Sequence, residues 1–99
     1  MDPLRGNQRR YLRGEGNTIK PTVYLGKEGL SESLLHSLGE AFNNQELIKV
    51  RIEKSCDLER KDAAEQLATA AQAHMVQVLG HTVLLYRPDP DEPKIKLPE

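Results

Sequence analysis

The strictest pattern in the chain runs from Leu47 to Lys54, where Ile48, Val50 and Ile52 fall on one side and Lys49, Arg51 and Glu53 on the other. Successive side chains of a strand point to opposite faces, so period two with one apolar side predicts a half-buried strand. Its apolar face demands a covering layer, and an uncovered second face would present Lys49 and Arg51.

Helical spacing supplies the covering layer. Leu30, Leu34, Leu38, Ala41 and Phe42 recur at helical intervals, Leu35 widens the stripe, Ser31 is a candidate N-cap, Glu32 gives an acidic first turn, and Asn43-Asn44 closes the helix. Asp57 is the expected cap of a further helix, whose Ala64, Leu67, Ala68 and Ala71 form a narrow stripe suited to close packing on a sheet. A short, Arg-rich surface helix is expected from Asn7 to Gly16, with Leu4, Tyr11 and Leu12 as a thin apolar stripe. Gly14, Gly16 and Asn17 would end it through a left-handed exit.

Pro21 to Leu25 reads as a short strand with proline at its first position, where a missing N–H costs least. Met75–Leu79 and Thr82–Arg87 read as antiparallel strands joined by Gly80-His81, a two-residue turn with glycine first, as type II′ requires. Pro88 to Glu99 holds four prolines in twelve residues and predicts an extended acidic tail. The order α-β-α-β-α-β-β thus predicts an α/β chain of the α+β, two-layer kind, with a four-stranded mixed sheet and helices packed on it. Its first three strands are parallel by default, and strand order is not determined at this level.

A chain of 99 residues fits one domain, here taken as residues 1–87 followed by the tail 88–99. One cysteine excludes an internal disulfide and any paired-cysteine metal site, and favours a reducing compartment. The uncharged stretch around His74–Tyr86 holds Gln77, Gly80 and His81, too polar to span a bilayer, and the start does not resemble a signal peptide. A cytoplasmic protein with no membrane partner is therefore expected. The net charge of -1 conceals an asymmetry: residues 1–27 carry +4, residues 28–87 carry -3 and residues 88–99 carry -2. The acidic tail could mask the basic end or simply solvate the chain.

Enzymatic chemistry finds little support. His36, His74 and His81 lack metal-ligand spacing, so no metal is expected. Cys56 precedes a helix but has no sequence-adjacent base or orienting group, and the carboxylates are scattered along solvated faces. No catalytic residue and no cofactor are assigned.

The informative motif is Gly26-Lys27-Glu28-Gly29. A GxxG arises by chance about once in two chains of this composition, so its context must carry the inference. It falls between a strand and a helix. There, glycines let the backbone approach a phosphate, the helix N-terminus offers free N–H groups, and Lys27 adds a cation. Arg9, Arg10 and Arg13 on the first helix, Lys20 before the first strand, and Lys49 and Arg51 on the polar strand face extend the basic surface. Aromatic residues make up only 4% of the chain, too few for base-stacking recognition of the RRM kind.

Several spaced motifs together have a familiar form. Gln8-Arg9-Arg10-Tyr11-Leu12-Arg13, Ile19-Lys20-Pro21, Leu25-Gly26-Lys27-Glu28-Gly29-Leu30, Glu46-Leu47-Ile48-Lys49-Val50, Val76-Gln77-Val78-Leu79-Gly80 and Val83-Leu84-Leu85-Tyr86-Arg87-Pro88 resemble the CRM domain, named for chloroplast RNA splicing and ribosome maturation. The stand-alone bacterial YhbY-type members are the nearest form, and the resemblance extends to Lys94-Ile95-Lys96-Leu97-Pro98.

It implies a fold like the C-terminal domain of the third bacterial translation initiation factor, a KH-like loop at Gly26–Gly29, and binding to rRNA in precursor large ribosomal subunits. No DNA partner is expected, and a monomer is. Three positions depart from the family pattern. Glu15 replaces an apolar residue, Gln72 replaces a helix-ending glycine, and Glu28 makes the loop less cationic. The alternative is a protein-interaction adaptor that docks on a ribosomal protein without direct RNA recognition.

Overall fold

The computed structural model describes residues 3–99. Its elements run α1 (Gly6–Gly16), β1 (Val23–Leu25), α2 (Glu32–Asn44), β2 (Leu47–Ile52), α3 (Arg60–Ala71), β3 (His74–Leu79) and β4 (Thr82–Tyr86). One mixed sheet has the order β1-β2-β4-β3, with β1 parallel to β2 and β4 antiparallel to both β2 and β3. The first three strands therefore share a direction, and β4 inserts between β2 and β3.

The alternation in β2 sorts the core into two clusters. Ile48, Val50 and Ile52, with Val83 and Leu85 of β4, pack against Leu34, Leu38 and Phe42 of α2 and Ala63, Ala64, Leu67 and Ala71 of α3. The alanines keep α3 close to the sheet, as the small-residue stripe predicts. The layering is fuller than a two-layer arrangement. Leu47, Leu84, Tyr86 and Val76 face the other way and are covered by Leu12 of α1, with Leu4, Ile19, Ile95 and Leu97 around it. The second sheet face is thus half closed by α1 and the C-terminal segment, and Leu12 is fully buried.

Local chemistry explains the boundaries. The Ser31 hydroxyl accepts a hydrogen bond from the Leu34 N–H at 3.1 Å, so this side chain caps α2 as expected. Leu35 does not extend the buried stripe; it is exposed, because the α2 face is already filled by Leu34, Leu38 and Phe42. Asp57 is not the cap of α3, which begins three residues later with Glu59 at the N-cap position and no side-chain cap bond. β1 starts at Val23 rather than Pro21, its ladder to β2 opening at Val23 opposite Val50.

α1 leaves through Asn17 in right-handed conformation, so no left-handed exit is used there. Gly16 is needed instead for close packing, since a Cβ there would lie 2.5 Å from Leu84 Cδ2. The left-handed exit belongs to α3, where Gln72 (φ 53°) occupies a conformation glycine adopts at lower cost, and its N–H bonds the Ala68 and Thr69 carbonyls. Gly80 has φ +57° whereas His81 does not take a positive φ, the pattern of a type II′ turn.

The Pro-rich segment after β4 forms no helix or strand, but it is fixed at several points. The buried Glu46 carboxylate accepts hydrogen bonds from the backbone N–H groups of Asp89 (2.6 Å), Lys94 (2.8 Å) and Ile95 (2.7 Å). Asp89 in turn accepts from the Asp91 and Glu92 N–H groups, which holds its carboxyl below the usual carboxylate range. The side chains of Gln8 and Asn7 donate to the carbonyls of Pro98 and Glu99, tying the chain end to α1.

Candidate nucleic-acid interface

β1 lies at the sheet edge, and Gly26–Gly29 connects it to α2. The connection is a tight turn: Gly29 N–H donates to the Gly26 carbonyl at 3.1 Å, and Ser31 N–H to the Gly29 carbonyl at 2.9 Å. Gly29 sits at φ +65° with open space where a Cβ would project, and Lys27 and Glu28 at the turn centre are exposed. Position 29 is thus glycine by conformation, and its solvent side lets another backbone approach.

Ser31 satisfies the Leu34 N–H, whereas Glu32 and Ser33 open the helix and have no preceding turn to bond. Their N–H groups and the positive end of the helix dipole favour an anion at this end. A cleft of about 350 Å³ runs beside the turn, lined by Lys27 and by Thr22, Ser33 and Ser37, which supply hydroxyls, with the Tyr24 ring at its border. Lys27 and the two glycines of the motif border it. These groups can donate to a phosphodiester, and Glu28 is the one anion of the turn.

The other basic residues form a strip rather than a cluster. Tyr24 pairs in register with Arg51, and the Thr22 N–H donates to the Lys49 carbonyl, so both cations stand on the strand beside β1. Arg51 is half exposed and pairs with Glu53 at 3.8 Å. α1 covers the far end of the same face, around Leu47, about 16 Å of strand from Ile52 and the loop. Arg10 and Arg13 lie on α1, and Lys20 in the segment between that helix and β1.

Arg9 is engaged elsewhere. Its guanidinium donates to the Met75 carbonyl at 2.6 Å and the Val76 carbonyl at 3.3 Å, where the β3–β4 register shifts. Arg60 and Arg87 are likewise committed, to the carbonyls of Gly80 and Ala71, and Arg87 also lies over the Phe42 ring. Among the described residues, Arg10, Arg13, Lys20, Lys27 and Lys49 enter no ion pair.

The titratable groups with displaced pKa values lie away from the loop. Burial lowers that of His74, helped by the Arg9 charge, while the ring stacks on Tyr86 at 5.9 Å. The hydrogen bond to Glu15 raises that of Tyr11. This Tyr11–Glu15 contact also places Glu15 on the exposed side of α1, where a charge does not disturb the buried Leu12 contact.

Among the described residues, no group of three or more His, Cys, Asp or Glu side chains is placed to hold a metal ion. No helix among them is long and apolar enough to cross a membrane. Glu46 was not singled out from sequence; one acidic residue before a strand carries no signal of the chain segment it will bind forty-odd residues later.

The four-stranded mixed sheet, the helices on both faces and the GxxG turn between an edge strand and its following helix define a small α+β domain. The chain belongs to the CRS1/YhbY (CRM) domain family, whose model matches residues 4–87. It is 33% identical over 95 residues to a Bacillus subtilis protein named Probable RNA-binding protein YqeI, covering 96% of this chain and 99% of that one. It is 37% identical over 99 residues to an RNA-binding protein of Haemophilus influenzae, covering 99% and 98%. The solution structure of the hypothetical protein SAV1595 from Staphylococcus aureus, given a provisional RNA-binding role, matches with a TM-score of 0.81. It is 35% identical, with coverage of 96% and 99%.

Proposed function

We propose that this protein is a non-enzymatic RNA-binding domain that holds RNA backbone at the Gly26–Gly29 turn and along the adjoining basic strip. By the family resemblance, its target is rRNA in precursors of the large ribosomal subunit, whose maturation it assists. The observation that carries the reading is the turn itself. It combines an exposed Lys27, a Gly29 at φ +65° with its solvent side open, and the unbonded N–H groups opening α2. The names of the Bacillus and Haemophilus relatives support RNA as the partner. Lys20, Lys49 and Arg51 then extend the contact along the strip, with Arg10 and Arg13 at its far end, while Arg9 chiefly fixes α1 to β3. The ribosomal part is tested by crosslinking in cells and sequencing the attached RNA. Enrichment of large-subunit precursor rRNA over total RNA is the expected result, and a spread proportional to RNA abundance would reject that target.

A further inference from the structure

The sheet face that carries α1 is open at the loop end. Across it, register aligns Tyr24 of β1, Arg51 of β2, Thr82 of β4 and Leu79 of β3 in one row. Tyr24 is 54% exposed, and the Arg51 side chain beside it 53%. The Tyr24 hydroxyl donates to the Pro21 carbonyl at 3.3 Å, which holds the ring along the edge strand. Tyr24 also stands two residues before Gly26 and borders the loop cleft.

We propose that Tyr24 and Arg51 form a site for one unpaired RNA base, next to the phosphate held by the Gly26–Gly29 turn. This inference rests on the phosphate-binding role proposed for that turn. A pre-positioned tyrosine ring and a planar guanidinium both stack on the face of any base. Adjacent strands lie about 4.8 Å apart, so ring and guanidinium address the same nucleotide. Charge favours a nucleotide: Lys49 shares the strand face of Arg51 and Lys27 lines the cleft that Tyr24 borders, against Glu28 in the turn and Glu53 paired with Arg51. A base inside a duplex has both faces covered by its neighbours, so the site favours single strands. Low aromatic content excludes a multi-base platform but leaves this single position.

The test compares the full chain with Tyr24→Thr, Tyr24→Phe and Lys27→Ala. Each is titrated with an oligoadenylate of about ten nucleotides and a blunt RNA duplex of equal length, over a range of salt. Threonine suits an edge strand, and thermal melts followed by circular dichroism confirm folding. Tyr24→Thr is expected to weaken oligoadenylate binding about five- to tenfold, leave duplex binding within about twofold, and keep the salt slope. Tyr24→Phe retains the ring and binds like the parent.

If Tyr24→Thr binds both RNAs like the parent, as it would were this face a protein-docking surface, the base site is rejected. Equal weakening toward both RNAs, or a loss in Tyr24→Phe matching that in Tyr24→Thr, also rejects it. When Lys27→Ala flattens the salt slope and Tyr24→Thr has no effect, only the base site fails. A parent chain with no salt-dependent RNA binding overturns the loop's role and this inference together.

Discussion

Replacing Glu46 by Gln probes a contact that ties the start of β2 to the segment after β4. One carboxylate oxygen accepts the Lys94 and Ile95 N–H groups and the other accepts the Asp89 N–H. In Glu46→Gln the amide oxygen can keep the first pair, but the amide nitrogen then faces the Asp89 N–H, donor against donor. Loss of one hydrogen bond to a charged group costs about 1.5–3 kcal/mol, and the remaining two weaken to neutral strength. Release of the segment from the surface caps the loss, so the net destabilisation is about 2–3 kcal/mol. For a domain of this length that lowers the melting temperature by about 8–24 °C.

Urea denaturation measures the free energy, and hydrogen exchange at the Asp89, Lys94 and Ile95 amides locates it. A chain ending at Arg87 should make the two changes non-additive, because truncation removes the same three donors. A Glu46→Gln midpoint within about 0.5 kcal/mol of the parent, with unchanged exchange at those amides, would refute the anchoring role.

Two further outcomes follow from backbone and charge. Gln72→Gly is expected to stabilise the chain by about 0.5–1 kcal/mol, since it relieves a left-handed residue at φ 53° and loses part of that gain to unfolded-state entropy. A raised urea midpoint with unchanged m checks it, and a lowered midpoint contradicts it. The folded-state pKa of His74 lies below 6.5, chiefly through burial and then through Arg9, so the unfolded chain binds the proton more tightly. Stability should therefore fall as pH drops from 7.5 through about 6.5 toward the folded value. His74→Gln should flatten that fall, and an equally steep fall in the variant contradicts the assignment.

Features written in neighbouring residues were readable from sequence. The β2 alternation, the Ser31 cap, the alanine stripe of α3 and the Gly80-His81 turn each act over a few positions, and each appears in the fold. The Lys27 turn was readable for the same reason. Features set by distant partners were not. Leu12 looked like part of a thin surface stripe because its burial depends on Leu47, Val76, Leu84 and Tyr86. The Arg9 contact spans 66 positions, and nothing near Arg9 distinguishes a guanidinium that binds backbone carbonyls from one free for phosphate. Strand order was hidden because local patterning does not say which edge of β2 receives β4. Asp57 misled because it has the right side chain for a cap, while the helix start is set by where Ala63 and Ala64 meet the sheet.

The central claim, that the turn holds phosphate, is tested most directly by the salt dependence of single-stranded RNA affinity in the parent and Lys27→Ala. About four phosphate contacts give a log–log slope of roughly -3 for the parent. Removing Lys27 should reduce its magnitude by about 0.7 and weaken binding uniformly across sequences, with the melting temperature unchanged because the side chain is exposed. A parent slope near zero, or a Lys27→Ala slope and affinity equal to the parent's, contradicts the account and leaves Gly26–Gly29 as a turn alone.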